Sequence, residues 1–279
     1  MNPLVTPSWL AGHLNDPQLV VLDATLPPVG VTPPVDTRAR YRAQHIPGAV
    51  FFDIDELSDH ATPLPHMLLS ETDFARSMEA LGVSSDATIA VYEQEGVFSA
   101  PRAWWMLRVF GARDVRVLDG GLRGWIESGL PTEAGQVTRT PATFSAILDR
   151  NAIEDFQGIQ QAIRTKSQIL DARSAGRFSG TAPEPRAGIP SGHMPGAYSL
   201  PFTELAENGR LRSESGLREI FHAKGVDIKK PVITTCGSGV TAAVLALGLE
   251  IAGAKEIRLY DGSWSEYAQH PQATIEKST

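Results

Sequence analysis

Cysteine is nearly absent: of 279 residues, only Cys236 carries a thiol. An internal disulfide is therefore excluded, and the chain suits a reducing compartment. Long apolar runs are missing as well; no stretch approaches the roughly 18 residues of a membrane span. Excess positive charge is also lacking. The formal net charge is −7, which argues against a general nucleic-acid binder. The first residues, MNPLVTPSWLAGHLNDP, have no basic start, apolar core or Arg-rich amphipathic pattern. Neither a signal nor a transit peptide is expected, and the expected location is the cytoplasm. No Cys/His set has metal-ligand spacing, and no Walker A or dinucleotide-type glycine motif occurs. No metal and no cofactor are expected.

What is present points to a globular chain that repeats itself once. The hydrophobic fraction of 42% suffices for a real core. VVLDAT (20–25) resembles QILDAR (168–173), and QHIPGAVFFDIDEL (44–57) resembles GHMPGAYSLPFTEL (192–205). The same spacing separates Asp23 from Asp171 and His45 from His193. Further on, LGVSSDATIAVYEQEG (81–96) tracks KGVDIKKPVITTCGSG (224–239), and VRVLDGGLRGW (115–125) tracks IRLYDGSWSEY (257–267). Four matches in one order imply two homologous domains; the period is too long for a solenoid.

Each half alternates short apolar runs with amphipathic ones. QILDA, PVITT and EIRLY read as buried strands. SGLREIFHAKG and VTAAVLALGLEIAG read as helices, the second closed by Gly253. The fold class is therefore α/β: two tandem domains, each a mainly parallel sheet flanked by helices on both faces. The expected boundaries are 1–132, a linker at 133–160, and 161–279.

Cys236 follows the strand PVITT and precedes the helix that starts near Val240. Gly237 and Gly239 let the loop curl, and its N–H groups with the helix N-terminus suit an anion. The natural anion is the Cys236 thiolate, or a sulfur attached to it. Gly237, Ser238, Gly239, Val240 and Thr241 form this loop. A Cys-dependent phosphatase would carry arginine where Ala242 stands, so phosphate chemistry lacks its clamp.

The tandem halves, the HIPGA and HMPGA segments, CGSGVTA, FFDIDELSDH, SAPRAWW, GRFSGTAPEPR and YDGSW together resemble the rhodanese superfamily over nearly the whole chain. Within it, the pattern is similar to the branch that takes sulfur from 3-mercaptopyruvate. Thiosulfate-preferring members typically carry basic residues directly after the cysteine, where this chain has Gly237 and Ser238.

The resemblance implies a sulfurtransferase with a Cys236 persulfide that passes sulfur to a thiol such as thioredoxin, or to cyanide. It implies that Arg177 and Arg186 bind the substrate carboxylate and keto groups, a pairing that bidentate guanidinium chemistry suits. It also implies that Ser238 works with Asp55 and His66 from the first half in moving protons. Glu93 stands at the cysteine's position in the first half, which is expected to be non-catalytic. His45 and His193 recur where only one half has a thiol, so both are assigned to the fold. Trp104, Trp105 and Phe110 are assigned to the core. Two other readings stay open: a thiosulfate:cyanide sulfurtransferase, and a persulfide carrier or redox sensor without turnover.

Overall fold

The computed structural model describes residues 2–28, 30–31 and 33–278. It divides into two compact units. Unit 1 comprises Met1–Asp59, Leu68–Asp149 and Asn208–Leu211; unit 2 comprises His60–Met67, Arg150–Glu207 and Arg212–Thr279.

These units differ from the uninterrupted spans suggested by sequence. The stretch 133–160 is shared between them. Its first part is tied to unit 1: Asp149 N–H donates to Val109 O at 2.7 Å and Ile147 N–H to Phe110 O at 3.1 Å. Its second part opens unit 2 with a short 3-10 turn, Arg150–Ala152, a strand and a helix, Phe156–Thr165. Backbone hydrogen bonding to distant partners places these residues, and no local pattern announces such partners.

In unit 1 the strands are β1 (Leu4–Val5), β2 (Leu19–Asp23), β3 (Val50–Phe51), β4 (Thr88–Tyr92) and β5 (Asp114–Leu118), in the order β1-β5-β4-β2-β3. Every pairing is parallel, with Val21 opposite Ala90 and Leu22 opposite Val50. All five residues of β2 are buried. That fits an apolar run covered on both faces rather than an alternating one. Trp104, Trp105 and Phe110 are buried, as a core assignment requires.

Unit 2 repeats the plan. Its sheet holds β6 (Ile153–Glu154), β7 (Gln168–Asp171), β8 (Tyr198–Ser199), β9 (Val232–Thr235) and β10 (Ile257–Tyr260). The order is β6-β10-β9-β7-β8, again parallel throughout. The helix Ala242–Ala252 is buried along almost its whole length and ends at Gly253, whose φ of +97° closes it in the left-handed conformation. The QILDA, PVITT and EIRLY strands and both helices read in this half fall where the sequence pattern put them.

The two histidines do equivalent structural work. His45 forms a two-way backbone bridge with Glu133, and His193 forms one with Glu276. Each ring also meets a carbonyl through Nδ1, at 2.8 Å from Tyr41 O and 2.9 Å from Phe178 O. Each stacks on the same residue's aromatic ring. Among the described residues, no helix is long and apolar enough to cross a membrane.

Candidate active site

Strand β9 ends at Thr235 and delivers Cys236 into the turn before the helix Ala242–Ala252. Cys236 is only 2% exposed. Its peptide units are anchored on both sides. Cys236 N–H donates to Ser263 Oγ at 3.3 Å, and Cys236 O accepts from Trp264 N–H at 2.9 Å. Gly237 O accepts from Ser265 N–H at 3.0 Å and from Ser265 Oγ–H at 2.6 Å. The next N–H groups, from Gly237 to Thr241, donate to no acceptor among the described residues. Gly239 takes a φ of +79°, which tightens the turn. Unpartnered N–H groups at the start of an eleven-residue helix form a cradle for negative charge.

The other half shows what such a turn can hold. In unit 1, β4 ends at Tyr92 and the next residue is Glu93. The same backbone anchors recur: Leu122 N–H donates to Glu93 O at 2.9 Å and Arg123 N–H to Gln94 O at 3.3 Å. The buried Glu93 carboxylate accepts from the N–H groups of Phe98, Ser99 and Ala100, and from Ser99 Oγ–H at 2.6 Å. Burial pushes the Glu93 carboxyl up from its ordinary value, against the downward pull of these donors. A carboxylate thus fills in unit 1 the kind of cradle that stands open beside the thiol in unit 2.

Above the cysteine loop lie two guanidinium groups. Arg177 sits on the short helix Ala175–Ser179, and Arg186 follows in the next loop. A Cβ on Gly237 would lie 2.9 Å from Arg177 Nη2 and 3.7 Å from Arg186 Nη1. Gly237 therefore differs from its expected role. Its φ lies outside the left-handed range, and it is the close approach of the arginines that requires the absent side chain.

Arg177 is held in place from behind. Its Nε donates to Glu184 Oε2 at 2.9 Å, and Glu184 Oε1 accepts from Arg173 Nη1 at 2.7 Å. Arg173 is buried, pairs with Asp171 at 2.6 Å and lies over the Trp264 ring at 4.0 Å. Burial opposes the Arg173 charge, but Asp171 and Glu184 outweigh it and hold the guanidinium protonated. The sequence reading missed this chain of charges. Its signals were Arg173 in QILDAR where the first half has Thr25, and Glu184 placed between the two arginines of GRFSGTAPEPR.

His66 belongs to unit 2, within the segment His60–Met67. Its Nδ1 lies 2.9 Å from Ser238 Oγ, and both residues are buried. His66 holds a φ of +60°, a left-handed conformation that a histidine adopts only when its surroundings require it. Asp55 lies in unit 1, exposed in the turn at 54–57. The structure thus brings Cys236, Ser238, His66, Arg177 and Arg186 into one unit.

The rhodanese-like domain model matches residues 6–128 and again 155–270. The chain belongs to the rhodanese family. Among its relatives in that family is a 3-mercaptopyruvate sulfurtransferase of Escherichia coli (strain K12), 44% identical over 269 residues, which cover 96% of this chain and 95% of that protein. A thiosulfate sulfurtransferase of Bos taurus is 42% identical over 273 residues, covering 95% of this chain and 91% of that protein. Among solved structures, SseA from Escherichia coli, described with the rhodanese fold of 3-mercaptopyruvate sulfotransferases, superposes with a TM-score of 0.88 at 42% identity; the match covers 95% of this chain and 99% of that one. In this rhodanese-family chain the open cradle and the cysteine occur in the second domain, and the filled cradle occurs in the first.

Proposed function

We propose that this chain moves the sulfur of 3-mercaptopyruvate to a thiol or cyanide acceptor through a persulfide on Cys236. The observation that carries the reading is the joint position of three features: the buried thiol, the unpartnered N–H groups of 237–241, and the two arginines above Gly237. Arg177 and Arg186 take the carboxylate and neighbouring keto oxygen of the donor.

The Cys236 thiolate attacks the donor sulfur. A sulfur–sulfur bond forms, the carbon–sulfur bond breaks, and its electron pair passes to the enolate of pyruvate. The enolate takes a proton and leaves as pyruvate. Ser238, backed by His66 at 2.9 Å, is the group assigned to move that proton. The persulfide rests in the N–H cradle until an acceptor thiolate, such as that of reduced thioredoxin, takes the outer sulfur and restores the Cys236 thiolate. The first domain, with Glu93 filling its cradle, is non-catalytic. A reducing cytoplasm suits the single thiol.

By the family resemblance, thiosulfate-preferring members typically carry basic residues directly after the cysteine, so the uncharged Gly237 and Ser238 favour an α-keto acid donor over thiosulfate. Replacing Cys236 with serine removes the nucleophile while keeping the loop's shape. The variant is expected to release no pyruvate and gain no sulfur; transfer at the wild-type rate would overturn the mechanism.

A further inference from the structure

The segment that clamps the cysteine loop is not a plain copy of its counterpart in the other half. In unit 1 the matching segment meets its turn with backbone bonds alone, from Leu122 and Arg123, while a side chain from elsewhere, Thr25 Oγ1, accepts the Gln94 N–H. Unit 2 keeps the matching bonds from Trp264 and Ser265 and adds two from side chains. Ser265 Oγ–H donates to Gly237 O, and Ser263 Oγ accepts the N–H of Cys236 itself while donating to Tyr260 O at 2.8 Å. Where unit 2 has Ser263, unit 1 has Gly121. Both residues are left-handed, with φ of +50° and +57°. Glycine takes that conformation freely, and serine does not. Ser263 is fully buried, so solvent does not select for its hydroxyl. A strained serine thus occupies a glycine's place where its Oγ meets the backbone of the thiol residue.

We propose that Ser263 is a positioning residue for Cys236, an inference that rests on Cys236 being the nucleophile. Accepting the Cys236 N–H fixes one side of that residue, and the Trp264 N–H on its carbonyl fixes the other. Together they set the direction from which the sulfur meets the free N–H groups that begin at Gly237. Without the hydroxyl, the Cys236 N–H is a buried donor without an acceptor, and the peptide can turn to find one. The thiolate then loses its register with the cradle.

Ser263→Gly and Ser263→Ala, compared with the wild type, separate positioning from stability. Single-turnover persulfide formation from 3-mercaptopyruvate, donor KM, the pH profile of Cys236 alkylation by iodoacetamide and the thermal midpoint are read together. Both variants are expected to form the persulfide roughly tenfold more slowly or worse, with donor KM unchanged. Their alkylation profiles should shift to higher pH. Ser263→Gly should keep the wild-type midpoint because strain is relieved as the bond is lost, whereas Ser263→Ala should melt earlier. A full rate in Ser263→Gly would overturn the proposal, as would losses that only track the unfolded fraction. A wild-type protein that gains no sulfur would refute the nucleophile reading instead, and the alkylation profiles would still test the Ser263 contact.

Discussion

Alanine at position 237 isolates the arginine pair from the thiol. The new Cβ would stand 2.9 Å from Arg177 Nη2, roughly half an ångström inside ordinary contact. The guanidinium must retreat, and its hydrogen bonds to Glu184 limit where it can go. Losing one charge-assisted bond to a donor carboxylate costs about 1.5–3 kcal/mol, or about 10- to 150-fold in kcat/KM. In the proposed mechanism the carboxylate takes no part in the bond changes, so most of the loss should fall on KM. The assay pairs steady-state pyruvate release with alkylation of Cys236 by iodoacetamide, a neutral reagent that does not need the arginines. Gly237→Ala is expected to raise KM while alkylation keeps its wild-type rate. A wild-type KM would refute the placement of the arginines at the donor site. An equal fall in alkylation would mean that the loop itself had been disturbed.

Asp171→Asn leaves the Arg173 guanidinium fully buried with one carboxylate fewer, and should cost about 3 kcal/mol in urea denaturation. Burial raises the pKa of Asp23, its counterpart in unit 1, which is hydrogen-bonded to Thr25 and Gln94 and lacks the arginine that Asp171 has. A raised folded-state pKa means that wild-type stability falls as pH climbs from the ordinary carboxylate range through that pKa. The stability deficit of Asp23→Asn should therefore shrink in denaturation curves as the pH climbs above the ordinary carboxylate range; a deficit that grows would contradict the burial argument. Ser238→Ala removes the contact with His66. It should slow pyruvate release in single turnover by roughly tenfold or more, the low end of a lost proton-transfer group, with donor KM unchanged.

The sheets were legible because the strands of a covered parallel sheet are short apolar runs. QILD and VITT announce themselves, and Gly253 marks the end of the long helix. The cysteine loop was legible because its small residues stand between a strand and a helix. The charges behind Arg177 were not. Asp171, Arg173 and Glu184 meet only when the loop after β7 folds back over that strand, and an arginine two residues beyond a strand carries no local sign of burial. The place of the segment His60–Met67 in unit 2 was not legible for a similar reason: only the family resemblance paired His66 with Ser238, far along the chain. Ser263 was visible in principle, since aligning YDGSW with LDGGL sets serine against glycine, but only its backbone angle shows that the exchange carries strain.

The central claim is tested most directly by mixing the protein in parallel with 3-mercaptopyruvate and with thiosulfate, without acceptor, and following intact mass with product release. The account predicts one sulfur gained on Cys236 and one pyruvate released per chain, faster with 3-mercaptopyruvate than with thiosulfate. Faster loading from thiosulfate, or no sulfur gained from either donor, would contradict it.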